Sequence, residues 1–216
     1  MGSLSEYFAS LSLELKTSAG RLLVIADPHI GFEFSRGLRV RTHFEEALAD
    51  FILEMDPDLI VILGDVKEPL GLGLGMKKLL MEFFSPLKNL NVVITKGNHD
   101  GRIEDAVRPF KNVCVVPYFT TDGLLFLHGH TALPDVPFEE AYLGHIHPAY
   151  TFKSGGIRRK TKVFVRAGRF LILPSVNPYI EGFDIREGIG MVPFLRGERE
   201  LDLFLPEGLH IGRIQV

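Results

Sequence analysis

The sequence predicts a mixed α/β fold, and three observations predict it. In the first half, apolar runs too short for helices, each ended by a turn-forming residue, alternate with amphipathic helical stretches. After Arg108 short strands punctuated by Gly and Pro dominate. No repeat and no low-complexity linker divides the 216 residues.

Taken in order, residues 22–26 (LLVIA) form an apolar run closed by Asp27-Pro28 and read as a buried strand. Residues 42–55 carry Phe44, Ala47, Leu48, Phe51 and Ile52 at helical spacing, with Thr42 and Glu45 spaced as a capping box. Residues 59–63 (LIVIL) are a second buried strand, 76–87 a second helix that stops near Pro86, and 92–95 a third strand. This alternation is the pattern of parallel strand pairing. Further strands are expected at 113–116, 124–127, 141–143, 149–152, 162–165, 170–173, 190–194 and 201–205. Residues 209–216 complete the chain as an edge strand or a dimer contact.

Composition narrows the class. A content of 46% hydrophobic and 24% charged residues supports a packed core and excludes a disordered chain. Cys114 is the only cysteine, which excludes a disulfide framework; inside 113–116 it reads as a core residue. The start lacks the basic and apolar regions of a signal peptide, and no run approaches the ~20 apolar residues of a membrane helix. The expectation is a cytoplasmic enzyme with no membrane association. A net charge of −3 gives no global attraction to nucleic acid.

The polar residues that need explaining cluster at strand ends. They are Asp27-Pro28-His29, Gly64-Asp65, Gly97-Asn98-His99-Asp100, His128-Gly129-His130 and Gly144-His145-Ile146-His147. Six of the eight histidines fall in these clusters, where α/β sheets place their sites. Carboxylate, amide and imidazole donors suit Mn, Fe, Zn and similar ions. Asp27 and His29 sit two residues apart and share a side of an extended segment, as do His145 and His147. Asp65, with two oxygens, can bridge two ions roughly 3.5–4 Å apart, the arrangement that grips both oxygens of an in-line phosphoryl displacement. The adjoining glycines let the backbone approach the ions. Each motif alone is common; five together, each after an apolar strand, point to a two-metal centre.

The order D-x-H, G-D, G-N-H-D, H-G-H, G-H-x-H, from Asp27 to His147, resembles the calcineurin-like metallophosphoesterase superfamily. Leu173-Pro174-Ser175-Val176-Asn177-Pro178, with His147-Pro148, is similar to its small single-domain archaeal and bacterial branch. The resemblance implies two mixed β-sheets packed as a sandwich flanked by helices, a four-layer αββα arrangement, in a single domain over 1–216. It implies one ion held by Asp27, His29, Asp65 and His147, and a second by Asp65, Asn98, His128 and His145. The metals are expected to be two divalent ions, Mn foremost, with Fe, Zn, Ni or Co as alternatives. His99 would stand beside the scissile phosphate with Asp100 orienting it, and His130 would sit behind the ligands. Small-branch relatives often carry His where Glu68 stands. Three roles stay open for Glu68: a solvated loop residue, an acceptor for a ligand histidine, or a water-binding group.

Substrate contacts are expected in the loop 31–41, where Arg36 and Arg39 are candidates for phosphate and Phe32 and Phe34 for base stacking; Arg41 lies in the same loop. Residues 153–169 hold seven basic residues and no acidic one. A solvated edge is favoured there over a polyanion contact, because the whole chain is slightly acidic. His43 and His210 belong to no cluster. The reaction implied is hydrolysis of phosphodiesters, of nucleotides or nucleic acid, by metal-bound hydroxide. Alternatives are a repair-associated nuclease acting with a partner protein, a phosphomonoesterase and, least favoured, a non-catalytic scaffold. The last would be expected to lose ligands, and all seven ligand positions and His99 are present.

Overall fold

A computed structural model describes residues 3–38 and 40–216. The chain opens with helix α1 (Leu4–Ser10) and the antiparallel pair β1 (Leu13–Thr17) and β2 (Gly20–Ala26). There follow α2 (Phe32–Ser35), α3 (Phe44–Met55), β3 (Leu59–Leu63), α4 (Leu74–Phe84), β4 (Asn91–Thr95), α5 (Ile103–Val107) and β5 (Val113–Val116). These strands make one sheet, β1-β2-β3-β4-β5, parallel from β2 onward.

The second half supplies β6 (Tyr118–Thr121), β7 (Leu124–Leu127), β8 (Glu140–Leu143), β9 (Pro148–Ser154), β10 (Ile157–Lys162), β11 (Phe164–Ala167), β12 (Phe170–Ile172) and β13 (Phe183–Asp184). It ends with α6 (Ile185–Gly188), two 3-10 turns (Ile189–Met191 and Pro193–Leu195), β14 (Glu200–Phe204) and β15 (His210–Gln215). Seven strands form a mixed sheet in the order β15-β14-β11-β12-β8-β7-β6, and β10-β9-β13 form a small third sheet.

The period of two along each strand divides the core into layers. Leu23, Ile25, Ile60 and Ile62 face the helices α1, α3 and α4. Leu22, Val24, Val61 and Leu63 face the other sheet, meeting Phe126, Tyr142, Phe164 and Leu171. The outer face of the second sheet packs Leu125, Leu143 and Val165 against Ile185, Ile189 and Leu195. Helices, sheet, sheet and helical turns are thus stacked in four layers, as the resemblance implied. Among the described residues no helix is long and apolar enough to cross a membrane.

Several expectations are corrected. Thr42 does not cap α3: His43 is the N-cap, in a left-handed conformation with no side-chain cap bond. Thr42 Oγ1 instead donates to Glu33, and Glu45 accepts from Arg41, because these two buried carboxylates need partners more than an exposed helix end does. Residues 190–194 form 3-10 turns, since Pro193 has no N–H for a ladder. The strand expected at 162–165 is broken at Val163, where the chain passes from the small sheet into the large one. Cys114 is exposed on the edge strand β5 rather than buried.

Between the sheets Phe126 is fully buried, with ring centroids 5.8 Å from Phe119 and 5.2 Å from Tyr142. Phe126→Ala is therefore expected to lower unfolding free energy by about 3–5 kcal/mol in urea denaturation; a loss below about 1 kcal/mol would contradict this packing.

Candidate metal centre

Five loops, after β2, β3, β4, β7 and β8, meet at one edge of the sandwich. Backbone bonds tie the first two: the His29 amide donates to Asp65 O at 2.9 Å and the Ile30 amide to Val66 O at 2.8 Å. Asp27, His29, Asp65, His145 and His147 all take positive φ, between 43° and 74°. Such backbone is uncommon outside glycine and concentrates where structure is bent to a function. Close packing needs glycine at two positions. A Cβ on Gly97 would overlap Asp65 Oδ1, and one on Gly144 would come within 2.5 Å of Asp27 Oδ2.

The predicted ligands form two groups that share Asp65. Asp27, His29, Asp65 and His147 place one donor atom each within 4.8 Å of one another, and so do Asp65, His128 and His145. Asn98 joins the second group, its Oδ1 lying 3.1 Å from His128 Nε2. His29 Nε2 and His147 Nε2 are 3.0 Å apart, two ring nitrogens aimed at one point. Asp27 Oδ1 is buried without a hydrogen-bond partner. Converging donors and an orphaned carboxylate oxygen fit divalent cations.

The electrostatics follow from burial. Desolvation lifts the Asp27 carboxyl to about 7. Burial also works against a charge on His128 and on Asp65, but their mutual contact overcomes it. His128 rises to about 9 and Asp65 falls far below the carboxylate range. His145 drops to about 4 through burial and the charge on His128. The His128 Nδ1 contact with Leu63 O, at 2.9 Å, leaves Nε2 toward the centre.

Asp100 does not orient His99. Its carboxylate accepts from the amides of Val66, at 2.8 Å, and Gly97, at 2.7 Å, and so braces two loops from beneath. The partner of His99 is Glu68, whose Oε2 lies 3.1 Å from His99 Nδ1 and 2.9 Å from His29 Nδ1. These are ion-pair contacts, since His29 Nδ1 has no hydrogen-bond partner by geometry; of the three roles left open for Glu68, they place it beside a ligand histidine rather than free in solvent. His130 stacks near His128 and His145, with centroids 5.1 and 6.1 Å away, and its Nδ1 is buried without a partner.

A cavity of about 280 Å³ opens over the first ligand group, lined by His99, Arg36, Phe32, Tyr179 and Phe183. The Arg36 guanidinium lies 4.9 Å from the Phe32 ring centre. Arg39 lies outside the described residues. Arg41 is turned away into Glu45, Glu46 and Glu82, which it fills in place of a cation. Phe34 is exposed and does not line this cavity.

Two lysines carry weight that sequence reasoning misses. Lys67 is fully buried and donates to Pro69 O, Leu70 O and His99 O, fastening the Glu68 loop to His99. Lys162 donates to Ser175 O and Asn177 O, both at 2.6 Å. Ser175 Oγ in turn donates to Asp27 O, and Asn177 Nδ2 to Pro28 O, so this segment holds the first ligand loop in shape. Nothing in a lysine's local sequence signals burial, because lysine is exposed by default.

A family model described as calcineurin-like phosphoesterase matches residues 20–168. The chain belongs to the calcineurin-like phosphoesterase family. Among solved structures it is similar to the Pseudomonas putida nuclease MPE, with 21% identity and a TM-score of 0.64, over 90% of this chain and 96% of that one. A Streptococcus pneumoniae TIGR4 protein described as a predicted phosphoesterase aligns at 13% identity and a TM-score of 0.33, over 90% and 97%. No curated protein sequence matches the chain. The first likeness carries the fold across nearly the whole chain. Membership of the family implies a hydrolase of phosphate esters; such proteins typically bind divalent metals, for which the clustered aspartates and histidines offer donors.

Burial depresses the Lys162 ammonium to about 7 from an ordinary value near 10.5. Between those values the unfolded chain binds more protons at this residue than the folded one, so its contribution to stability rises with pH. The melting temperature of the wild type minus that of Lys162→Met is expected to grow more positive from pH 6 to pH 9; a difference that shrinks would contradict the buried neutral amine.

Proposed function

We propose that this phosphoesterase is a dinuclear enzyme that cleaves phosphodiester bonds of nucleotides or nucleic acid. One observation carries the reading: two groups of ligand atoms meet at a single aspartate, Asp65. Asp27, His29, Asp65 and His147 would hold one ion, and Asp65, Asn98, His128 and His145 the other. Two bound cations supply an activated water and neutralise the phosphoryl oxygens. Mn²⁺ is the ion we propose first, since the donors are oxygen and nitrogen with no thiolate. The exposed, unpaired Cys114 suits a reducing compartment, and we propose a cytoplasmic enzyme.

The chain's own side chains supply the rest. His99 lines the cavity, and with Nδ1 engaged by Glu68 its Nε2 is the nitrogen left for the leaving oxygen. There it would donate the proton that a departing alkoxide needs. Arg36, pre-oriented on Phe32, would contact a phosphoryl oxygen. Tyr179 and Phe183, each half exposed at the rim, offer flat faces to a base. The nuclease activity in the name of the Pseudomonas putida neighbour supports a nucleic-acid substrate.

Turnover of bis-p-nitrophenyl phosphate with added Mn²⁺ tests the reading. Asp65→Asn is expected to lose at least about 100-fold. His99→Ala is expected to lose about 100-fold or more on a dinucleotide and far less on the nitrophenyl ester, whose leaving group needs no proton. Metal-independent turnover, or equal losses on both substrates, would contradict the assigned roles.

A further inference from the structure

We propose that the β9–β10 ribbon is the track along which a single-stranded nucleic acid reaches the metal centre. This rests on the phosphodiesterase reading and names its substrate. The two strands pair antiparallel, with Arg158 opposite Lys153, Lys160 opposite Thr151 and Lys162 opposite Ala149. Alternation therefore puts Lys153, Arg158, Lys160 and Lys162 on one face of the ribbon. Arg159, Phe152 and Ile157 share the other.

The basic face leads to the site. Lys162, at its base, is buried under the segment that shapes the Asp27 loop. Lys160 reaches across β9 to donate to Gly182 O at 3.1 Å, and Gly182 lines the cavity between Tyr179 and Phe183. Lys153 and Arg158 stand exposed at the tip as a like-charged cross-strand pair. Such a pair is destabilising unless an anion joins it. Successive cations on one face of a strand lie about 6.6 Å apart, a row that a flexible polyphosphate backbone can follow.

The surrounding charges sharpen the case. Elsewhere on the described surface Arg102, Arg108, Arg166, Arg186 and Arg213 are bound to carboxylates, while Arg169, Arg196 and Arg199 are single cations without a carboxylate partner rather than a row. Among the described residues, none of Lys153, Arg158, Arg159 and Lys160 has a carboxylate within ion-pair distance, although the chain as a whole is acidic at −3. Selection of an unpaired strand comes from the rim. Tyr179 and Phe183 are 50% and 51% exposed beside the cavity, and bases locked in a duplex cannot stack on them.

The test is binding, read without cleavage. Fluorescence anisotropy with a labelled oligothymidylate and a labelled oligouridylate of about twenty nucleotides, and with a duplex of equal length, is measured with Ca²⁺ and no transition metal. The full-length wild type is compared with Lys153→Glu/Arg158→Glu, and with Lys153→Gln/Arg158→Gln should charge reversal impair folding. Wild type is expected to bind both single strands more tightly than duplex. The variant is expected to bind them at least about tenfold more weakly, with the slope of log affinity against log salt reduced by about 1.4. Variant affinity equal to wild type, or a preference for duplex, overturns the proposal. Turnover of bis-p-nitrophenyl phosphate should stay within about twofold in the variant, because that ester is too small to reach the tip. A wild type that binds the strand but leaves this ester intact would sustain the ribbon and remove the phosphodiesterase reading.

Discussion

Two buried carboxylates, Asp27 and Asp65, set the terms for everything around them. Negative charge removed from water is costly unless cations or donors replace the lost hydration. Amide donors meet part of the need, His145 for Asp27 and His99 for Asp65. Imidazoles meet another part, at the expense of pulling a proton onto His128. One oxygen of Asp27 still has no hydrogen-bond partner, with His128 Nδ1 3.4 Å away. A fold that crowds acids and histidines this tightly, on left-handed backbone at five positions, is shaped for divalent cations rather than for stability.

The sandwich makes that crowding reachable. Parallel neighbours β2, β3 and β4 deliver the aspartates and the Asn98-His99 turn from one sheet. The parallel pair β7 and β8 delivers His128, His145 and His147 from the other. The inner core, centred on Phe126 and Tyr142, fixes the spacing of the two sheets and hence of the two ligand sets. Around them, Lys67, Asp100, Ser175 and Asn177 brace loops through backbone groups, which frees the ligand side chains to face inward.

Much of this is legible in the residues. The strands at 59–63, 113–116 and 124–127 appear with the expected bounds, because their apolar runs are closed by turn residues. The seven ligand candidates come together because each follows such a strand. What escapes is what depends on tertiary pairing. Helix α1, strand β1, helix α5 and strand β6 are short and gain their order from neighbours rather than from their own periodicity. Asp100 is next to His99 in sequence and so reads as its partner, yet Glu68, far away along the chain, occupies that place in space. The basic run after Lys153 reads as a solvated edge in sequence, and only the register shows that Lys153, Arg158, Lys160 and Lys162 share one face while Arg159 takes the other.

Anomalous scattering from crystals soaked in Mn²⁺ puts the central claim to the most direct test. Two peaks roughly 3.5–4 Å apart, one on either side of the Asp65 carboxylate, are the expected result. A single peak, or two that share no aspartate, would contradict a bridged pair.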